Sequence, residues 1–541
     1  MYIMKRTVFF ILLLFVSYGY SDQPDTAGIF NSGMQQYQKG NYDEAVKLFD
    51  IVISSAAKNE KGIVQKAYLA QADALLDGLK LDEAYKGYSR FIEKYPKGND
   101  TLAARLGIGL VYYKKNNYAK AREYLVGLIK KYSGTKIADD AQFWLGMLHF
   151  KNKNYKKAII SFTALASNYS KSDFAPEGLL RLGDSYYNLK KYPFARESYR
   201  KIIRKYPDAK QCEFALYNIG RSYDTEGAVQ DAITIYTQYA DRYPFSTLSA
   251  EVVYKIANHY YKNKQIEKAK NYYKQLFTDF SDSELAEEAH FIYAKIVYES
   301  GDNMEALNLF NECAQAYGSS GKCYFYSLFY AGNCFMNMGD YKNAVKIFEE
   351  TLRNEEINPE VAASMRYNCG IAYENLRQII KAEKMFNEIL YRLPKSLGAA
   401  KIYIKRGTIF ECNGDIMAAI ENYELASTIS KNKDIKRDDL LFNSIEGELG
   451  AEAQKRAADC YFSIKKYKEA AREYLKVVYL FSDSALVPEA QFMAGCAVEA
   501  SGLLEEAKSN YEIVKNKYPE TEWSKKAKEK IELLNNKVGR K

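Results

Sequence analysis

Histidine and proline are scarce in this chain, which has only 3 His and 10 Pro among its 541 residues. So few histidines leave little for a His-based metal site or a His-dependent catalyst. Glycine, at 31, is too sparse for a collagen-like or linker-rich chain. Hydrophobic residues make up 47% and charged residues 27%, which excludes disorder as a description of the whole chain. Tyrosine, at 49, is unusually common and requires a structural explanation.

Long apolar runs are also missing, with one exception at the N-terminus. Two basic residues precede an apolar stretch over 8–16, and small residues at 19 and 21 stand at −3 and −1 of a cut before Asp22. This order predicts a secretory signal peptide over 1–21, followed by a linker over 22–27. The alternative is a retained membrane anchor, although the stretch is shorter than the ~20 residues that span a bilayer.

The position of the first cysteine indicates whether the exported protein carries an N-terminal lipid anchor. The first is Cys212, so no lipobox follows the signal segment and no lipid anchor is expected. The sequence therefore predicts an exported protein that is periplasmic or associated with the cell envelope.

An internal repeat organises the chain after residue 28. An alanine recurs every 37 residues from Ala84 to Ala306, and every 37 to 39 elsewhere apart from one interval of 51. The anchor alanines are Ala45, Ala84, Ala121, Ala158, Ala195, Ala232, Ala269, Ala306, Ala344, Ala382, Ala419, Ala470 and Ala507. Twelve residues before each stands a first-column small residue: Gly33, Ala72, Gly109, Gly146, Gly183, Gly220, Ala257, Ala294, Gly332, Gly370, Gly407, Ala458 and Gly495. Four residues after each alanine stands an aromatic residue in twelve of the thirteen repeats.

These columns have the spacing of two packed helices. An offset of four residues is about one helical turn, so each alanine and its aromatic share a face. Most first-column positions are followed by an aromatic three or four residues later, which is the same signature on an earlier helix. Each repeat is therefore predicted to be a helix-turn-helix in which small residues let the backbones approach. Most tyrosines are then expected in the core, with the hydroxyl reaching the surface.

The column set resembles the tetratricopeptide repeat (TPR) family, whose pattern is L-G-x2-Y, then A-x3-F, then P. Here RLGDSYY, FARESY and KYP within residues 181–207 reproduce that order, but the family's tryptophan column is missing. The period is 37 rather than 34. This longer period is similar to exported bacterial members of outer-membrane assembly and Tol–Pal complexes. The resemblance implies an all-α, right-handed superhelical solenoid of about thirteen TPR-like helix-turn-helix repeats.

Two departures from the regular array are expected near the C-terminus. The repeats are predicted over 28–520, with an insertion over about 431–445 that is either an extended loop or a simple spacer. Residues 521–541 are predicted to be a capping helix and a basic tail, because a solenoid must cover its last apolar face. The apolar stripe of that helix is Trp523, Ala527, Ile531 and Leu534.

No cluster of catalytic or metal-ligating residues stands out. His149 occupies a column that holds tyrosine in neighbouring repeats, and His259 and His290 have no Cys or His at ligand spacing. Gly107 and Gly109 lie within a predicted helix, so they do not form a phosphate-binding loop. The protein is therefore expected to be no enzyme, to hold no metal and to need no cofactor.

The eight cysteines leave two interpretations open. Cys369 and Cys496 stand beside first-column glycines, which favours buried free thiols. Export would permit disulfides, and Cys313 and Cys323, on either side of a GSSG loop, are the first candidate pair.

Charge is distributed unevenly along the chain. Residues 101–210 carry a net charge of +14, and residues 211–390 carry −8. Because equal positions of successive repeats line up in a solenoid, lysines in the turns between paired helices are predicted to form one basic edge. These are Lys114, Lys115, Lys151, Lys153, Lys190 and Lys191. The edge either keeps the protein soluble, or steers an acidic partner or docks on an anionic surface; nucleic acid is not expected for an exported protein.

The resemblance also points to a binding surface, because the first helix of each repeat lines the concave face in this family. The third and fourth positions after the first-column residue lie about 100° apart on that helix, so only one of them need pack against the second helix. The fourth positions form a candidate partner-binding ladder of Tyr113, Phe150, Tyr187, Tyr261 and Tyr298. The alternative is that both positions belong to the core.

These features together predict an exported protein-protein interaction scaffold that holds a protein or peptide in its concave groove, in a cell-envelope complex. The protein could join a membrane-associated complex through its partners. A structural envelope component that contacts peptidoglycan or another glycan through exposed tyrosines is the alternative function.

Overall fold

The structure is a computed structural model that describes residues 25–56, 60–431 and 447–538. The predicted signal peptide lies outside these residues, as does the predicted insertion apart from Lys431. Within the described residues the chain forms 27 α-helices and no strand. Twenty-six of them form thirteen hairpins, and the last helix stands alone. The prediction of an all-α solenoid of thirteen helix-turn-helix repeats with a capping helix is confirmed.

The contacts divide the chain into two compact units, one up to Val252 and one from Val253. The first unit contains hairpins 1–6, with helices α1 (Thr26–Lys39), α2 (Tyr42–Ser55), α3 (Lys61–Asp77), α4 (Leu81–Lys94), α5 (Asn99–Lys114), α6 (Tyr118–Lys131), α7 (Lys136–Lys151), α8 (Tyr155–Asn168), α9 (Ala175–Asn188), α10 (Tyr192–Lys205), α11 (Gln211–Glu226) and α12 (Val229–Arg242). Helix α13 (Ser249–Lys262) contains the point of division.

The second unit contains the remaining helices of hairpins 7–13 and the terminal helix. They are α14 (Ile266–Asp279), α15 (Ala286–Glu299), α16 (Asn303–Tyr317), α17 (Tyr324–Asn337), α18 (Tyr341–Thr351), α19 (Pro359–Asn375), α20 (Ile379–Arg392), α21 (Leu397–Cys412), α22 (Ile416–Ser430), α23 (Gly447–Ser463), α24 (Tyr467–Leu480), α25 (Val487–Ala500), α26 (Leu504–Lys517) and α27 (Glu522–Val538).

The repeat columns form the core of every hairpin. All thirteen anchor alanines are buried, and so are the aromatic residues four positions later. In hairpin 4 the ring of Phe162 occupies the space that a side chain on Gly146 would need, since a Cβ there would lie 2.4 Å from the ring. The first-column glycine therefore accommodates the face of a ring, which is more specific than the predicted approach of two backbones.

The hydroxyls of the core tyrosines explain why tyrosine is so frequent. In hairpin 2 the Tyr88 hydroxyl donates a hydrogen bond to Asp73 at 2.6 Å, and in hairpin 7 Tyr273 donates to Asn258 at 2.6 Å. Both acceptors stand one residue after the first-column position. A tyrosine fills the space against the first helix as phenylalanine does, and its hydroxyl finds a polar partner inside the hairpin instead of reaching the solvent, as the sequence had suggested.

Each hairpin turns through one residue with a positive φ, five positions before the anchor alanine. Six of these residues are glycines, and the others include Asn116 at 58° and Lys153 at 54°. The full set is Gly40, Leu79, Asn116, Lys153, Lys190, Gly227, Lys264, Gly301, Gly339, Arg377, Gly414, Lys465 and Gly502. Six glycines in one register of the sequence mark this turn, and the columns described above do not include it.

Helix α27 covers the end of the last hairpin. Ala527 and Leu534 are buried in the same cluster as Tyr511, and Trp523 and Ile531 pack against that cluster. The ring centroids of Trp523 and Phe492 are 5.4 Å apart. The predicted apolar stripe therefore closes the core at the C-terminal end.

Candidate protein-interaction surface

The five aromatic residues of the predicted ladder occupy equal positions near the ends of first helices. All are half-buried. Tyr113, Phe150 and Tyr187 belong to the first unit, and Tyr261 and Tyr298 belong to the second. They are therefore neither free surface residues nor fully buried core.

Within their own hairpins, Phe150 and Tyr187 pack against the first residue of the second helix. The Phe150 ring centroid is 5.5 Å from that of Tyr155, and Tyr187 has the same distance to Tyr192. Tyr155 and Tyr192 are the first residues of α8 and α10. Phe150 and Tyr187 therefore lie close to the turn that joins the two helices of their hairpins.

Three of the ladder residues also reach the following hairpin at the position five residues after its first-column residue. The Tyr187 hydroxyl and the Thr225 Oγ1 are 2.7 Å apart, and the Asn337 amide donates to the Tyr298 hydroxyl at 3.1 Å. The Lys151 Nζ lies 4.9 Å from the ring centroid of Tyr113. These contacts connect successive first helices side by side. Burial raises the pKa of Tyr113 and Tyr298 above the usual tyrosine value.

The residue just before the ladder position makes different contacts. Tyr186 stacks on Phe194 of its own second helix at 5.4 Å, and the Arg196 guanidinium lies 4.1 Å from the Tyr223 ring centroid. These residues pack inside their hairpin or against a neighbouring second helix. The two adjacent positions therefore point to different surroundings, as their offset on the helix predicts.

A charged cluster surrounds Tyr187. The Arg221 guanidinium lies 4.5 Å from its ring centroid, on the first helix of hairpin 6. On α9 itself, Arg181 donates to Asp184 at 3.0 Å. Burial raises the pKa of the Asp184 carboxyl, while the neighbouring arginines act in the opposite direction. The face of the first helices thus presents an aromatic ring next to a guanidinium group.

The six predicted edge lysines all lie where the two helices of hairpins 3, 4 and 5 are joined, but their surroundings differ. Lys114 is largely buried and forms an ion pair with Asp77 at 3.1 Å. Lys115 pairs with the exposed Asp82. The four others, Lys151, Lys153, Lys190 and Lys191, are exposed. The basic edge is therefore neutralised at hairpin 3 and open at hairpins 4 and 5.

No disulfide joins any of the eight cysteines, all of which lie within the described residues. Cys313 and Cys323 are both buried, and no bond joins them. Burial raises the pKa of the Cys313 thiol to about 11. Among the eight, only Cys412 is exposed. Most of the thiols are therefore buried, and the pairing of Cys313 with Cys323 stays a prediction.

The described residues include no group of three His, Cys, Asp or Glu side chains arranged to hold a metal ion. His290 is buried, and its ring is stacked on Phe277 with centroids 4.2 Å apart. Burial lowers the pKa of His290 to about 4. In the part of the chain that the structure covers, no helix has the length and apolar character to cross a bilayer.

Comparison with known families supports the repeat assignment. Tetratricopeptide repeat families match residues 69–134, 106–176 and 254–320, residues 214–246 and 326–355, and residues 28–50. A family described as outer membrane lipoprotein matches residues 146–226, which include Phe150 and Tyr187. No curated protein matches the sequence.

Several solved structures are similar over long stretches at low identity. The structure of Naa15/Naa10 bound to HypK-THB has 13% identity and a TM-score of 0.32, and the match covers 95% of this chain and 78% of that one. A tetratricopeptide repeat protein from Parabacteroides merdae has 14% identity and a TM-score of 0.31, with 48% and 95% covered. The C-terminal part of a TPR repeat-containing protein from Cytophaga hutchinsonii has 17% identity and a TM-score of 0.37, with 48% and 98% covered.

The helix pairs agree with the family matches, which lie between residues 28 and 355. The buried alanine and aromatic columns agree with them too. The chain is a tetratricopeptide-repeat protein, and it resembles components of outer-membrane assembly.

Proposed function

We propose that this protein is an exported, non-catalytic scaffold of a cell-envelope complex, and that it binds an extended protein or peptide along the face of its first helices. Repeats of this family indicate a protein-interaction scaffold, although a fold alone does not establish a function. The observation that carries the proposal is the row of half-buried aromatic residues Tyr113, Phe150 and Tyr187 on the first helices of three consecutive hairpins of the first unit. Such rings bury large area at low entropic cost when a partner covers them.

The chemistry of this face in the first unit suggests what the partner carries. Lys151 lies over Tyr113 and Arg221 over Tyr187, so a cation accompanies each of these rings. The segment that contains three of these four residues, 101–210, has a net charge of +14. A partner with alternating acidic and apolar side chains would complement this surface, since complementary charge increases the association rate.

Two further observations favour the cell envelope as the location. The N-terminal sequence has the order of a secretory signal, and residues 146–226 match an outer membrane lipoprotein family. Mass spectrometry of the protein from a fractionated cell should find an N-terminus near Asp22. An intact Met1 would instead support a retained anchor.

The role of the aromatic face can be tested with two adjacent tyrosines. A crosslinking pull-down from the native envelope fraction would first identify the partner, and its affinity for variants would then be measured. Tyr187→Ala should weaken binding by at least about fivefold if this residue is a hot spot. Tyr186→Ala is the matched control, because Tyr186 is also half-buried and stacks on Phe194 of its own second helix, whereas the Tyr187 hydroxyl reaches Thr225 of the next hairpin. Equal losses of affinity in both variants would contradict the proposal.

Binding to a glycan is the second class of function considered for the sequence. Purified peptidoglycan can be tested for binding in parallel with envelope proteins, with the same two variants. Retention on peptidoglycan that depends on Tyr187, without any protein partner, would replace the proposal.

A further inference from the structure

A group of six lysines lies where the two helices of hairpins 4 and 5 are joined, and one of them, Lys151, donates a hydrogen bond to Asn116 at 3.0 Å. All six members are exposed: Lys151, Lys153, Lys156, Lys157, Lys190 and Lys191. In the described part of the chain none of them forms an ion pair with a carboxylate. Lys153 and Lys190 are the positive-φ residues of their turns, a position filled by glycine in six other hairpins. The turn geometry thus does not require a lysine there.

The absence of acidic residues around this group is built into the sequence. No Asp or Glu occurs between residues 141 and 172, or between 185 and 196. Hairpin 3 is different, because Lys114 and Lys115 are paired there with Asp77 and Asp82. The positive charge is therefore concentrated on the joined ends of two consecutive hairpins, and the one neighbouring carboxylate shown to reach α10 from the next hairpin, Glu226, pairs with Arg196 and not with these lysines.

Two large apolar side chains are exposed among these lysines. Ile160, on α8, has 68% of its surface exposed, and Phe194, on α10, has 59%. Ile160 follows Lys156 by one helical turn, so both lie on the same face of α8. Phe194 is three residues from Lys191, in the first turn of α10. Its ring is held by stacking on Tyr186 at 5.4 Å.

We infer that the joined ends of hairpins 4 and 5 form a docking surface for an anionic lipid bilayer. The lysine ammonium groups would lie at the level of the headgroups, and Ile160 and Phe194 would enter the boundary between headgroups and acyl chains. Each basic residue near an anionic membrane contributes attraction, and exposed apolar side chains add to it. This surface shares Lys151 with the aromatic face of the first helices but would bind lipid instead of a peptide, so the inference goes beyond the proposed scaffold function.

The arrangement favours a lipid surface over an acidic protein. Protein hot spots cluster in well-packed pockets that exclude water. Ile160 and Phe194 instead stand on two different helices, each beside lysines, and the nearby carboxylate of Glu197 is paired with Arg204. A site that binds at the membrane interface needs exposed apolar side chains next to basic residues, and this surface has both.

Vesicle binding by the full chain provides the first test. Vesicles of phosphatidylcholine alone are compared with vesicles that contain about one third phosphatidylglycerol, so that charge-independent insertion of the N-terminal segment appears with both. The protein should sediment with the anionic vesicles in a salt-sensitive manner. The combined variant Lys156→Glu, Lys157→Glu and Lys191→Glu should lower this binding about tenfold or more. Glutamate is favourable at the start of a helix, so the variant should fold.

A control variant has the same change in net charge at equal positions of other hairpins. Lys342, Lys268 and Lys466 are exposed and stand at the registers of Lys156, Lys157 and Lys191. Replacing these three by glutamate should reduce vesicle binding far less. An equal reduction by both triple variants would mean that only net charge matters, and would overturn the inference. Failure of the parent chain to prefer anionic vesicles would also overturn it, as would salt-sensitive capture of an acidic protein through these lysines without vesicle binding.

A local fluorescent probe provides the second test, independent of the N-terminal segment. Phe194→Trp should show a blue-shifted emission and quenching by brominated lipid when anionic vesicles are added. Phe245→Trp is the control, because Phe245 is 99% exposed in the loop between α12 and α13. The two native tryptophans contribute equally to both variants. No difference between the two variants would contradict insertion of this surface into the lipid.

Discussion

The ring of Tyr199 lies directly against Gly183 on the other helix of hairpin 5. A Cβ on Gly183 would come 2.3 Å from Cε1 of that ring. The Tyr199 hydroxyl donates a hydrogen bond to Asp184, the next residue after the glycine, at 2.8 Å. One tyrosine therefore depends on two consecutive residues of the facing helix, one for space and one for a hydrogen bond.

Gly183→Ala is expected to destabilise hairpin 5 by about 1–3 kcal/mol, because the ring or the helix must move to admit the methyl group. The matched control is Gly127→Ala in α6, where a Cβ would have nothing within 4 Å. That change should instead stabilise by about 0.5–1 kcal/mol, since alanine is the better helix former. Urea unfolding, with hydrogen exchange of α9 and α10 as a local measure, would check both. Similar effects of the two changes would contradict the ring-on-glycine packing.

The same packing shows why the hairpins could be predicted from the sequence. Each hairpin contacts mainly its neighbours, so the residues at its contacts recur with the period of the chain. Gly183, Ala195 and Tyr199 are one instance of columns that are present thirteen times. A pattern with that many copies allows the helix pairs to be predicted, although the sequence contains no interatomic distances.

The partners of the candidate surface could not be predicted in the same way. Tyr113 meets Lys151 and Tyr187 meets Thr225, at one register but with different residue types. Contacts between hairpins depend on side-chain length and rotamer, which no column records. The turn residues could not be predicted either, because several repeats have lysine or asparagine in place of glycine at this position.

Acid should destabilise the region around His290. Burial lowers the pKa of His290 to about 4 from the usual 6.5, so the folded state keeps the ring neutral while the unfolded chain binds a proton. The associated stability is fully present above about pH 6.5 and is lost as the pH falls toward 4, by up to about 3 kcal/mol. No hydrogen-bond partner for Nε2 occurs among the described residues, so nothing compensates the charged form.

His290→Leu should remove this dependence, because leucine fills the same register as Leu179 and Leu216 in other hairpins. The measurement is the difference in unfolding free energy between the parent and the variant at several pH values from about 7 to 4. Carboxylates and His149 titrate in both proteins, so their effects cancel. A difference that stays constant over this range would show that His290 is not buried in the neutral form.

The thiols should divide sharply in reactivity. Burial raises the pKa of Cys334, Cys369 and Cys460 to about 12, so these thiols stay protonated and shielded. Cys412 is exposed and should react first with an aromatic disulfide reagent at about pH 8. Cys412→Ser should abolish that rapid phase, and the other cysteines should react only on unfolding. Recovery of a Cys313–Cys323 peptide under non-reducing conditions would restore the disulfide interpretation.

Two neighbouring lysines of the basic edge should differ widely in their effect on stability. Lys114 and Asp77 have 12% and 8% of their side chains exposed, and Asp77 also accepts a hydrogen bond from the Tyr37 hydroxyl. Lys114→Ala leaves this carboxylate buried without its cation, so a loss of about 3 kcal/mol is expected. Lys115 pairs with Asp82, which is 87% exposed, so Lys115→Ala should have little or no effect on stability.

Urea unfolding of the two variants at low and high salt would test this difference. The effect of Lys114→Ala should persist in high salt, because a buried pair is poorly screened, whereas any effect of Lys115→Ala should vanish. Asp77→Asn combined with Lys114→Met would recover much of the lost stability, since replacing both charges removes the unpaired one. If both single variants had equally small effects, Lys114 would belong to the exposed edge with Lys153 and Lys190, and the positive surface proposed for lipid docking would extend to hairpin 3.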